Sequence, residues 1–241
     1  MTENASAAKS TACNLCFVNC GIKVELGGED GRRFVKVKGD PEHPTSRGYI
    51  CNKAARIDYY QNSPARLTSP MRRKSDGSYE PVDWDTAIAE IAGRLGSIKA
   101  EHGGERIIYY GGGGQGNHLG GASAVGLRGA LGIKYKSNAI SQEKTGLSWI
   151  FSRMVGEPLH SDVHHAQVAM LVGKNPFMSN GMDRARNFLR DIRKDPDRKL
   201  IVVDPRRSET ADYADIHLAV TPGRDAWLMA AIVGYLVQNQ L

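Results

Sequence analysis

The chain has 241 residues, 41% hydrophobic and 24% charged, with a formal net charge of +6. That balance suits a folded protein of one large or two medium domains. No apolar run reaches the ~18 residues a bilayer span needs, and the scattered Arg and Lys pairs show no basic–aromatic interleaving, which argues against nucleic acid.

Residues 1–10, MTENASAAKS, read as a disordered start. They hold neither an apolar h-region nor a twin arginine, so no export signal is expected and the location is expected to be cytoplasmic. All four cysteines follow as Cys13, Cys16, Cys20 and Cys51, spaced C-x2-C-x3-C-x30-C. Four thiolates can wrap one [4Fe–4S] cube, each on one iron, or hold one tetrahedral zinc. Structural zinc usually takes two similar knuckles. Three bunched ligands with a distant fourth better suit three corners of a cube closed from afar. Disulfides are disfavoured without an oxidising compartment. Ionising four thiols would also offset much of the positive charge, and any remaining basic excess suits an anionic, phosphate-bearing cofactor.

Residues 21–26 and 34–38 alternate as strands around Gly27-Gly28-Glu29-Asp30-Gly31. Asp40-Pro41-Glu42-His43-Pro44 is an extended or turning link. The organisation changes near 64–70. Residues 84–100 predict a helix with Ala87, Ile88, Ile91, Ala92, Leu95 and Ile98 on one face and Asp83 or Asp85 as its N-cap. Strands are predicted over 106–110, 168–172, 199–203 and 216–220, with helices over 183–193 and 225–237. The fold class is therefore α/β: a small β-rich N-terminal domain, then a doubly wound, mostly parallel region. The expected boundaries are 11–68 for the cysteine domain and 69–241 for the α/β region.

Ligands in such sheets bind beyond the carboxyl ends of the strands. Gly111, Gly113 and Gly116 satisfy G-x-G-x-x-G after a strand. No acidic residue stands between 129 and 142 for a ribose, so a nicotinamide site is weakly supported. The next exits are Gly173-Lys174-Asn175-Pro176, Asp204-Pro205-Arg206-Arg207 and Pro222-Gly223-Arg224-Asp225. Arg206 could fork onto phosphate. Asp225 could accept from a base edge rich in N–H donors, as guanine is, or cap the last helix.

The order of these pieces resembles the N-terminal part of the molybdopterin oxidoreductases. So do Gly48-Tyr49-Ile50-Cys51-Asn52-Lys53, Arg66-Leu67-Thr68-Ser69-Pro70-Met71 and Trp84-Asp85-Thr86-Ala87. That family includes formate dehydrogenases and nitrate reductases. The resemblance implies a [4Fe–4S] cluster on Cys13, Cys16, Cys20 and Cys51, with Lys53 as electron relay. It implies molybdopterin guanine dinucleotide, with Mo or W, against Gly173, Asn175, Asp204, Arg206, Gly223 and Asp225. The expected activity is metal-dependent oxidation or reduction, with formate-dehydrogenase-like chemistry favoured and an external electron carrier or redox subunit as partner. The alternative is a molybdenum-free relative of the large iron–sulfur subunit of NADH dehydrogenase.

Two features depart from the family pattern. The stretch where members supply a metal ligand reads Ser137-Asn138-Ala139-Ile140-Ser141-Gln142-Glu143-Lys144 and holds no cysteine. Ser141 or Glu143 could ligate through oxygen, or Lys144 could fill the place without bonding. His118, His160, His164 and His165 flank the region as possible proton carriers. Members also continue through a second lobe and a C-terminal domain, so a C-terminal half is expected elsewhere and residues 1–241 alone are expected to be inactive.

Overall fold

The computed structural model describes residues 7–111, 119–138, 141, 144–156, 159 and 161–241. The first unit is an antiparallel sheet of β1 (Lys9–Ala12), β2 (Gly21–Gly27) and β3 (Arg33–Gly39), with β2 in the centre. Alternation along β2 turns Ile22 and Val24 inward against Cys13, Cys20 and Ala54. The β2–β3 turn uses Gly28 and Gly31 at φ 80° and 66°, and Asp30 accepts the Arg32 N–H at 3.0 Å. Behind the sheet, Gly39 passes so close to Gly48 that a Cβ would strike the Gly48 carbonyl oxygen. The Gly48 N–H donates to the Asp40 carbonyl at 2.8 Å. The short helix α1 (Ile57–Asn62) packs on β3.

A hairpin of β4 (Met71–Arg73) and β5 (Tyr79–Pro81) leads to α2 (Trp84–His102). Asp83 caps α2, accepting the Thr86 N–H at 2.7 Å, and Gly103 at φ 79° ends it. Arg72 reaches both Glu80 and Glu90, at 2.8 and 2.5 Å, and ties the hairpin to the helix. The predicted apolar face of α2 forms, yet Ile88 and Ile91 stay 59% and 58% exposed. Periodicity sets a helix; burial also needs a facing partner. Among the described residues α2 meets little beyond the edge of α3 (Leu119–Leu131), where Lys99 donates to the Ala130 carbonyl at 2.7 Å.

Two parallel sheets follow. The strands β6 (Ile108–Gly111) and β7 (Tyr135–Asn138) pair around α3, and α4 (Thr145–Met154) leads onward. Then β8 (Val168–Val172), β9 (Lys199–Val203) and β10 (Ile216–Leu218) form a sheet with β9 central. The short helix α5 (Pro176–Ser179) and α6 (Ala185–Lys194) connect β8 to β9. Phe188, Leu189 and Ile192 of α6 are fully buried against Ala169, Leu171, Leu200 and Val202. Each such large side chain contributes about 1.5–3 kcal/mol. Asp215 Oδ2 accepts the Leu200 N–H at 2.8 Å. The chain closes on α7 (Asp225–Gln238). The architecture is the expected one, a small β-rich unit followed by a mostly parallel α/β region.

Candidate cluster and cofactor site

The Cys13 N–H donates to the Cys20 carbonyl at 2.8 Å and closes the first cysteine loop. Asn19 sits left-handed at φ 48°, its N–H on the Cys16 carbonyl, which lets the three-residue spacer reverse direction. Cys51 is delivered by the turn before Ala54–Arg56, where the Ala55 N–H meets its carbonyl at 3.0 Å. Cys13 and Cys20 are buried, Cys16 and Cys51 half-buried, and all four are free thiols. Burial pushes the Cys20 thiol up to about 11, helped by the charges of Cys16, Cys13 and Cys51. Burial likewise raises Cys13; the Leu15 N–H opposes this, Cys16 and Cys51 reinforce it, and Lys53 lowers it.

Cys13 and Cys20 thus sit where ionisation is disfavoured. An iron–sulfur core would supply positive charge that offsets thiolates there. Among the described residues no three His, Cys, Asp or Glu side chains gather as a single metal ion needs.

Two side chains carry the cysteine unit onto the α/β region. Lys53 Nζ donates to the Ser179 carbonyl at 3.2 Å, and the Tyr49 hydroxyl to Asn180 Oδ1 at 3.0 Å. Asn180 is buried and left-handed at φ 57°. The cysteine loop therefore abuts the segment that leaves β8.

The exits of β8, β9 and β10 open at one edge, because the three strands run parallel. Gly173 at φ 58° and Gly223 at φ 80° face open space, so backbone lies bare at two of the exits. Thr210, fully buried, organises the first two. Its hydroxyl donates to Asn175 Oδ1 at 2.6 Å and accepts the Phe177 N–H at 3.1 Å. Asn175 Nδ2 donates to Glu209 Oε2 at 2.7 Å, and Arg206 stands 3.4 Å from the same oxygen. Asp204 Oδ1 accepts the Arg206 N–H at 2.9 Å, and its carbonyl meets His217 Nε2 at 2.9 Å. Asp225 is the first residue of α7, while Arg224 holds the cap position with no side-chain cap bond. The helix-cap alternative for Asp225 is thus not what forms. Bare backbone, an amide donor and a guanidinium are the donor set an anionic nucleotide needs.

The remaining candidates fall at the other parallel pair or outside it. Ser141 follows β7, and both its N–H and hydroxyl donate to Asn138 Oδ1, at 2.7 and 3.0 Å. Lys144 precedes α4 as its cap residue. Glu143, His118, His160 and the glycines 112–116 lie outside the described residues. His164 meets the Asp183 carbonyl at 2.9 Å and the Phe188 ring edge-on, and His165 meets Asp162 at 2.7 Å. His164 is packed locally, and His165 lies exposed at the surface. Tyr49, Asn180, Glu209 and Thr210 carried no role in the sequence reading. Only proximity to Cys51 or to the Asp204-Pro205-Arg206 exit could have marked them.

A four-thiol loop abutting the open carboxyl edge of a parallel sheet marks the class as a cluster-bearing α/β protein. The chain belongs to the molybdopterin oxidoreductase family. It matches the Molybdopterin oxidoreductase description over residues 66–241 and the Molybdopterin oxidoreductase Fe4S4 domain over residues 7–63. Its cofactors are accordingly molybdopterin and a [4Fe–4S] cluster. A probable oxidoreductase, YyaE, of Bacillus subtilis is 31% identical over 97% of this chain and 34% of its own length. A nitrate reductase of Symbiobacterium thermophilum is 29% identical over 100% of this chain and 32% of its own. A periplasmic nitrate reductase of Desulfovibrio desulfuricans is 28% identical over 95% of this chain and 30% of its own length. The structure of acetylene hydratase from Pelobacter acetylenicus superposes with a TM-score of 0.79 at 24% identity, over 96% of this chain and 32% of that one. The chain spans about a third of the length of the curated relatives it matches. No helix among the described residues is long and apolar enough to cross a membrane.

Proposed function

We propose that the whole protein is a molybdenum- or tungsten-dependent oxidoreductase that exchanges electrons with an external carrier through the cluster on Cys13, Cys16, Cys20 and Cys51. The observation that carries this reading is the Lys53–Ser179 contact, 3.2 Å, which joins the cysteine loop to the turn beginning at Asn175. A pterin-bound metal would supply the two-electron chemistry. This chain's residues then hold and align. Gly173 and Gly223 leave room for close backbone approach, Asn175 and Arg206 offer donors to phosphate, and Asp204 fixes the Arg206 backbone. Asp225 accepts from a guanine edge. Lys53 places one positive charge beside the cluster and acts as the relay.

Ser141, Glu143 and Lys144 are the proposed metal-site stretch, which follows β7 in sequence. The division into a cluster domain over 11–68 and a molybdopterin-binding region over 69–241 belongs to the same proposal. So do a cytoplasmic location and a second pterin-gripping part, in the same polypeptide or a partner. The substrate we infer is a small planar oxyanion: formate on the sequence reading, nitrate on the names of the relatives.

The test is metal and nucleotide analysis of the full chain with any partner, then formate-dependent dye reduction and nitrate-dependent oxidation of reduced dye. About four irons, molybdenum or tungsten, and guanine nucleotide released on denaturation are expected. Iron without either metal would select the electron-transfer alternative. Activity with neither oxyanion would remove the substrate reading.

A further inference from the structure

At the β9 exit the two donors assigned above to the nucleotide are already engaged. Asn175 Nδ2 donates to Glu209 Oε2 at 2.7 Å, and the Arg206 guanidinium stands 3.4 Å from that same oxygen. One carboxylate oxygen thus occupies the place where an amide and a guanidinium converge. Asn175 cannot turn away, because Thr210 holds its Oδ1 from the buried side at 2.6 Å. Glu209 and Arg206, by contrast, have side chains 43% and 68% exposed, so both can swing. The fixed donor faces outward, and the group that fills it is mobile.

We propose that Glu209 is a resident stand-in for a phosphate oxygen, holding Asn175 and Arg206 in place until an anionic nucleotide displaces it. The proposal rests on the assignment of these exits to nucleotide binding. Carboxylate and phosphate oxygens take similar geometry from an Arg fork and an amide. The Glu209 backbone N–H, then the Asn175 amide, with the Arg206 charge, hold its carboxyl below the ordinary carboxylate range. It is therefore ionised at neutral pH. A nucleotide that enters must break this contact and then sits beside a displaced negative charge. Glu209 consequently weakens binding of any ligand that does not replace its contacts to both Asn175 and Arg206. It also keeps Arg206 from collapsing elsewhere while the site is empty.

The probe is GDP, titrated calorimetrically into the full chain prepared from cells that make no molybdopterin. Glu209→Gln keeps an acceptor for Asn175 and removes only the charge; Glu209→Ala removes both. Both variants should bind GDP about threefold to tenfold more tightly than the wild type, the scale of one exposed charge-assisted contact. On an Arg206→Gln background the same change should give a smaller gain. If wild type binds GDP and neither Glu209 variant binds it more tightly, the stand-in role is overturned while the nucleotide reading survives. If no version binds GDP, the nucleotide reading falls and this proposal with it.

Discussion

Replacing Thr210 by Val is the sharpest probe of how the exits are built. The side chains have nearly the same shape, and Thr210 is fully buried, so packing is conserved while the hydroxyl is lost. Two bonds go with it, the one to Asn175 Oδ1 at 2.6 Å and the one from the Phe177 N–H at 3.1 Å. A buried polar group left unsatisfied costs about 1–3 kcal/mol. Asn175 is only half-buried and can turn its oxygen to water, so its share is at the low end. The Phe177 N–H lies in the first turn of α5, where no intrahelical acceptor exists, and it bears most of the loss. The sum is about 2–3 kcal/mol, equivalent to a fall of roughly 4–12 °C in Tm for a region of this size. Thr210→Ser keeps the hydroxyl and loses one methyl, about 0.8 kcal/mol. Thermal unfolding of the two variants beside wild type decides the matter. Equal melting of the Val and Ser variants would refute the role of the hydroxyl.

Other outcomes follow from the same geometry. Lys53→Met should leave iron content unchanged and lower the cluster's reduction potential, since a nearby positive charge favours the reduced state. The shift should be on the order of 50 mV; an unchanged potential in a redox titration followed by EPR refutes the placement of Lys53. Gly39→Ala drives a Cβ into the Gly48 carbonyl, a backbone atom that cannot step aside, and should destabilise the cysteine unit by about 1–3 kcal/mol, read as lower yield of cluster-loaded protein. The Leu200 N–H, opposed by burial and helped by Lys199, holds the Asp215 carboxyl below its ordinary range. A depressed folded value means its stabilisation is complete above about pH 4 and is lost as pH falls below that. Asp215→Asn should flatten the acid limb of stability as pH falls below about 4, and an unchanged limb counts against it.

What the sequence disclosed depended on whether the cause was local. The strands at 168–172 and 199–203 were legible to the residue because short apolar runs between turn residues have few alternatives. The helix at α6 begins two residues later than its polarity suggested, because Arg184 is held left-handed at φ 40° before the first turn. The helix α3 escaped the sequence reading altogether; Gly120, Gly121, Gly126 and Gly129 lower its intrinsic propensity. The four cysteines announced themselves because thiol spacing encodes ligation chemistry directly. The exits were harder. Asn175 meets Glu209 and Thr210 across 34 and 35 residues, a separation set by the β8-α6-β9 crossover rather than by any motif. Glycines and an arginine at a strand end say that a nucleotide could bind there. Only the fold shows that the neighbouring Glu209 already fills the donors, and that Thr210 is what prevents Asn175 from yielding.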